Sequence, residues 1–141
     1  MEYKRFGNTI VQRLDKGEEI LEQLKAVSVK EGVRLAAVTG LGAVSDFTCG
    51  VFNTQTKEFK GNRFTGVYEI VSLGGTVSTM DNGYYAHLHL AAGDENGSVF
   101  GGHLSEAYIS ATAEIVITVI EGRVDRSYSE EIGLNLFDFE K

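Results

Sequence analysis

The chain has three histidines, and all fall in one short stretch: His87 and His89 in Tyr85-Ala86-His87-Leu88-His89-Leu90, and His103 in Gly101-Gly102-His103-Leu104. Neutral imidazole nitrogen suits Zn²⁺ first, with other first-row divalent ions as competitors. Side chains alternate between the two faces of a strand, so His87 and His89 share one face while Leu88 and Leu90 take the other. Where His103 falls depends on the turn Asp94-Glu95-Asn96-Gly97. A three-residue loop with Gly97 in the left-handed conformation pairs Asp94 with Ser98 and, counting outward, His89 with His103. Directly opposed β-carbons lie about 4.5–5.5 Å apart, from where imidazoles can share one ion at about 2.0–2.1 Å. A two-residue Asn96-Gly97 turn would slip the register by one and turn His103 away, and Gly101-Gly102 could hide a second bulge. An isolated His-x-His would read as a pair of ordinary strand histidines. Here a normal turn brings every histidine of the chain together, which favours a metal. Three protein ligands leave one coordination position open, the pattern of a catalytic site or of one that accepts an outside ligand.

Glu69 and Glu114 stand in apolar company, in Tyr68-Glu69-Ile70-Val71 and Ala113-Glu114-Ile115-Val116. Such a charge is either on a solvated face or buried with a partner. Glu114 is the candidate for acid/base work, or for accepting the second N–H of a metal-bound histidine. Pairing across subunits and simple exposure are its alternatives. Cys49 is the only cysteine, so it forms no internal disulfide and reads as a small buried hydrophobe. Gly40-Leu41-Gly42 imitates a dinucleotide fingerprint without its third glycine or its helix, and a tight turn is the better account. Asp94 to Gly97 lacks the spacing and the distal Glu of a calcium loop and reads as a turn.

The elements that must position these residues follow from pattern. Asp15-Lys16-Gly17-Glu18 fits a capping box, and Ile20, Leu21, Leu24 and Val27 follow at helical spacing, which predicts a helix over about 16–31 ended by Gly32. Strands are expected over 33–38, 43–53, 67–78, 84–92, 98–104, 111–120 and 133–139. Asp81-Asn82-Gly83 is a strong hairpin signal, Gln55-Thr56-Lys57 a weaker one, and Gly74-Gly75 marks a bulge or a close backbone approach. One helix followed by hairpin-linked strands predicts a single α/β (α+β) domain over residues 1–141, with a mixed, largely antiparallel sheet.

A chain of 141 residues with 43% hydrophobic content can build one core unaided. The N-terminus is not followed by an apolar signal core and no segment is long enough to span a bilayer, so a cytoplasmic protein without membrane contact is expected. A net charge of −7, with 13 Lys plus Arg scattered singly, works against partners recognised through phosphates.

The stretches His87-Leu88-His89-Leu90, Asp94-Glu95-Asn96-Gly97, Val99-Phe100-Gly101-Gly102-His103-Leu104 and Ala113-Glu114-Ile115-Val116 together resemble the prokaryotic branch of the plants and prokaryotes conserved (PPC) domain family. Lys16 to Leu21, Thr39 to Ala43 and Tyr68 to Gly75 extend the resemblance over nearly the whole chain. It implies a sheet curved around a small core, similar at fold level to zinc-dependent acetolactate decarboxylases, a homotrimer, and zinc held by His87, His89 and His103. Plant members pair the domain with AT-hooks, and prokaryotic members are labelled DNA-binding on that account. This chain has no proline and hence no Arg-Gly-Arg-Pro core, and Val67 stands where the plant Gly-Arg-Phe-Glu-Ile-Leu element has arginine. Direct DNA binding is therefore not expected. Three functions compete: a trimeric metal-binding module open to a small ligand, a metal-dependent lyase or hydrolase using Glu114, and a DNA-associated regulator. Whether the chain is an enzyme stays open at this level. A strand over 111–120 this apolar would also not be left as a free edge, a second ground for the trimer.

Overall fold

A computed structural model describes all residues 1–141. In chain order the elements are β1 (Glu2–Phe6), β2 (Thr9–Asp15), α1 (Ile20–Lys30), β3 (Ala36–Asn53), β4 (Glu58–Met80), β5 (Gly83–Gly93), β6 (Val99–Val119), β7 (Asp125–Ser129) and β8 (Leu134–Asp138). The larger sheet runs β1-β2-β6-β3-β4-β5, and β5 also pairs with β6. β6, β3, β4 and β5 thus close on one another in a ring. β5 borders the first part of β6 and β2 borders the last part, Glu114 included. Every pairing is antiparallel, so the expected parallel component is absent. The fold is α+β, mostly antiparallel sheet with one short helix.

Three strands are longer than their patterns suggested, because bulges let a strand cross a glycine or a break in alternation without ending. Residues 33–38 and 43–53 were expected as separate strands joined by a tight turn at Gly40-Leu41-Gly42. Those glycines instead lie inside β3, with a register shift between Gly40 and Gly42. A side chain at Gly42 would sit 2.6 Å from the Thr112 carbonyl of β6, so glycine is there for close approach. Likewise 98–104 and 111–120 are one strand, β6. Its 111–120 portion is flanked by β2 and β3 of the same chain. It is no free edge, and that ground for a trimer is withdrawn.

The helix begins at Ile20, later than expected, with Glu19 and not Asp15 as its N-cap. Gly17 takes φ +88°, and Glu18 Oε2 accepts from the Asp15 N–H, so the Asp15-Glu18 box forms a tight turn before the helix. The buried Glu19 carboxylate accepts from the Glu22 N–H at 2.7 Å and from the Ala107 N–H of β6 at 2.9 Å. It therefore caps the helix and ties it to the sheet. Glu19→Ala would remove a cap and orphan a buried N–H, a loss of about 2–4 kcal/mol. Urea unfolding should show it as a lower midpoint at unchanged slope, with Glu19→Gln in between. At the other end Gly32, at φ +65°, stops the helix as expected, with the Val33 N–H on the Ser28 carbonyl.

Twenty-three buried residues form one contiguous core. β2 shows why: Ile10, Gln12 and Leu14 point inward while Val11 and Arg13 face out. The helix lays Ile20, Leu24 and Val27 over the same interior. β7 was not expected at all. It pairs with β8 in a separate hairpin that packs against β4.

Candidate metal centre

β5 carries His87 and His89, and β6 brings His103 directly opposite His89. The turn that sets this register is the three-residue one. The Asp94 N–H donates to the Ser98 carbonyl at 2.9 Å, the Gly97 N–H to the Asp94 carbonyl at 3.0 Å, and Gly97 has φ +80°. Asp94 Oδ1 accepts from both the Asn96 and Ser98 N–H groups, which holds the loop shut. Pairing runs unbroken from Gly93–Val99 to His89–His103, so no bulge at Gly101-Gly102 displaces His103 in that ladder.

Glycines on both sides draw β5 in. A β-carbon at Gly75 of β4 would fall 2.0 Å from the His87 carbonyl oxygen, and one at Gly101 of β6 would fall 2.2 Å from that of Leu90. The Gly74-Gly75 signal is therefore a close approach. Gly74 itself has ordinary room, with Val38 O at 3.9 Å.

The three rings have centroids 5.2, 5.0 and 5.8 Å apart, and their ligating nitrogens lie within 4.8 Å of one another. Nitrogens sharing a tetrahedral zinc at bonds of about 2.05 Å sit about 3.4 Å apart, so small side-chain rotations suffice. An all-imidazole donor set fits a divalent transition metal. His87 and His103 are half-buried and His89 is exposed. Burial holds the His87 and His103 imidazoles below the ordinary histidine pKa. At His87 the charges of His103, His89 and Arg126 add to the effect, and at His103 that of His89. Unprotonated nitrogens are what a metal requires. The Phe59 ring meets His103 edge to face at 5.7 Å. Beside His89 lies an open cavity of about 410 Å³ lined by Ser72, Gly74, Ala91, Gly101 and Gly102 among others.

Glu114 is exposed, far along β6 from His103 and opposite Arg13 and Leu41. Glu69 is exposed and pairs with Ala43 and Gly93. Neither makes a hydrogen bond to a histidine, and the structure does not bring either to the cluster. Cys49 is buried, its thiol pushed up to about 11 by desolvation, with Sγ 3.8 Å from the Leu90 carbonyl. It packs beneath β5 and stays a core residue. Sequence reasoning missed Arg126, since its segment showed no strand pattern. Its guanidinium lies over the rings of Tyr85 and Phe137 at 4.5 and 4.2 Å.

The model of the Plants and Prokaryotes Conserved (PCC) domain matches residues 1–121. Among solved structures, a protein of Bacteroides thetaiotaomicron, provisionally described as DNA-binding, is 32% identical at TM-score 0.96, with 99% of this chain and 98% of that one covered. A plant- and prokaryote-conserved protein of Pyrococcus horikoshii is 34% identical at TM-score 0.85, covering 97% and 93%. A protein of Archaeoglobus fulgidus described as metal-containing is 29% identical at TM-score 0.85, covering 96% of each. No curated protein sequence matches the chain. No helix is long and apolar enough to cross a membrane.

Proposed function

The chain belongs to the Plants and Prokaryotes Conserved domain family, and from that premise we propose that it is a cytoplasmic, homotrimeric metal-binding protein whose ion, zinc in the first instance, is held by His87, His89 and His103. The observation that carries the metal site is the convergence of the three ring nitrogens to within 4.8 Å; the trimer and the compartment rest on the family resemblance and the sequence. The metal-containing description of the Archaeoglobus relative agrees with it. A bound divalent ion would offer one electrophilic coordination position to an oxygen or nitrogen of a small ligand. The chain's own residues supply the rest: unprotonated imidazoles, a tight strand pair that orients them, and the cavity beside His89.

A DNA-associated role is the second reading, favoured by the provisional description of the Bacteroides relative. The net charge of −7 opposes it. Untagged protein should be sized by light scattering, analysed for metals, and inspected by mass spectrometry for a co-purifying small molecule. A three-chain species with roughly one divalent ion per chain is the expected result. A metal-free protein after reconstitution with zinc would sink the metal reading, and a monomer at micromolar concentration the trimer. Saturable, sequence-dependent binding of duplex DNA at physiological salt would promote the second reading.

A further inference from the structure

Arg126 is only 4% exposed, yet it takes part in no ion pair. A guanidinium does not shed its charge, and a buried charge without a counter-charge is costly. Its chain neighbour Asp125 makes no ion pair with it and, by strand alternation, points to the other face of the hairpin. Packing fixes Arg126 rigidly: Nε donates to Ser78 Oγ at 2.9 Å, Nη1 to the Asn135 carbonyl at 2.8 Å, and the plane is held by Tyr85 and Phe137. Those bonds use two of its five N–H groups. Nη2 donates to nothing and keeps a small exposure to solvent. One N–H of Nη1 and both of Nη2 remain, the fork that takes two oxygens of a carboxylate or phosphate.

Its position is set by the sheet. Tyr85 and His87 are two residues apart on β5 and share a face, about 6.6 Å along the strand. Ser78 is opposite Tyr85, as Thr76 is opposite His87. Arg126, held over Tyr85, therefore lies on the same face as the histidines, one side-chain position along β5 from His87, and its charge acts on that imidazole. The hairpin that presents it lies beyond the matched residues 1–121.

We propose that Arg126 is the counter-charge for a small organic oxyanion, a carboxylate or phosphate ester, whose second oxygen or nitrogen reaches the site formed by His87, His89 and His103. This inference rests on the metal-binding reading and gives its small ligand a chemical class. Arg126 would select for charge and fix the anion's orientation, and the histidine site would take the other end.

The test is calorimetric titration of zinc-loaded protein with succinate and, separately, with inorganic phosphate, which tells the two oxyanion sources apart. Wild type should bind at least one of them saturably, and Arg126→Gln should weaken it at least about tenfold, one charge-assisted bond being worth about that much. Arg126→Lys keeps the charge and most of the packing but lacks the fork, and should lose a smaller yet measurable factor even if the glutamine variant folds poorly. Zinc content, measured on every sample, should not change with residue 126. Anion binding that is equal in wild type and Arg126→Lys, or absent from zinc-loaded wild type, overturns the proposal. If wild type takes up no zinc but still binds the anion through Arg126, the metal reading fails and the anion site stands.

Discussion

Alanine at any one of His87, His89 or His103 is expected to lower zinc affinity by at least about 100-fold, since loss of a mere outer partner of a ligand already costs about 10–100-fold. Two imidazoles cannot complete the set that three form within 4.8 Å. The three substitutions should be about equally severe despite the greater exposure of His89. Cys49→Ala should leave metal content intact, because the thiol is buried in the core and held protonated. Elemental analysis after dialysis against zinc reads this directly. Equal metal in wild type and all three variants would return the histidines to ordinary strand residues. pH adds a signed expectation. His87 and His103 are shifted below the ordinary histidine value of about 6.5, so above that pH they are neutral and the affinity is fully present. Protons displace the metal as pH falls through the lowered values. Occupancy should stay flat from pH 8 to about 6.5 and fall below it, with a far-ultraviolet spectrum largely unchanged, because the 23-residue core does not involve the ion.

The second large effect is expected at two glycines. Gly75→Ala and Gly101→Ala each drive a methyl group into the backbone of β5, at 2.0 Å from the His87 carbonyl and 2.2 Å from that of Leu90. A backbone atom cannot swing aside as a side chain can, so strand β5 must shift bodily. Overpacking of this kind costs about 1–3 kcal/mol or more, and a shift of β5 also moves two of the three clustered histidines. Both variants should show lower unfolding midpoints together with weaker zinc binding. Gly74→Ala, whose methyl would meet nothing nearer than 3.9 Å, should be close to neutral in stability. A Gly75→Ala protein as stable as Gly74→Ala, with full zinc, would show that the close strand approach is not what the glycine is for.

The histidine cluster was unusually legible because every determinant of it is local. Period-two spacing put His87 and His89 on one face, and a single turn type, signalled by Asp94 and Gly97, carried the register across to His103. The same locality made the C-terminal glycine of the helix and the Asp81-Asn82 hairpin readable. There Asp81 and Asn82 both take positive φ, at 51° and 65°, as a tight two-residue turn requires.

What failed was everything that depended on a distant partner. Gly40-Leu41-Gly42 reads as a turn until Thr112 and Ala113 of β6 are seen pressed against it. Glu19 looks like any exposed first-turn acid until the Ala107 N–H finds it. The apolar run 111–120 looks like an orphan edge because no local rule says that β2 and β3 will flank it. Arg126 had no pattern to announce it, because its burial between Tyr85 and Phe137 exists only after a separate hairpin docks on the sheet.

By itself the sequence determined the three-histidine cluster, the hairpin that assembles it, the α+β class and the family, since these rest on side-chain alternation, turn chemistry and residue identity along a few adjacent positions. Only the tertiary structure decided that β6 closes a ring with β3, β4 and β5, that Glu114 lies apart from the histidines, and that a guanidinium without a counter-charge is buried over Tyr85 on their face of the sheet. Those facts depend on which strands meet across long stretches of chain, and burial, unlike periodicity, belongs to the whole molecule.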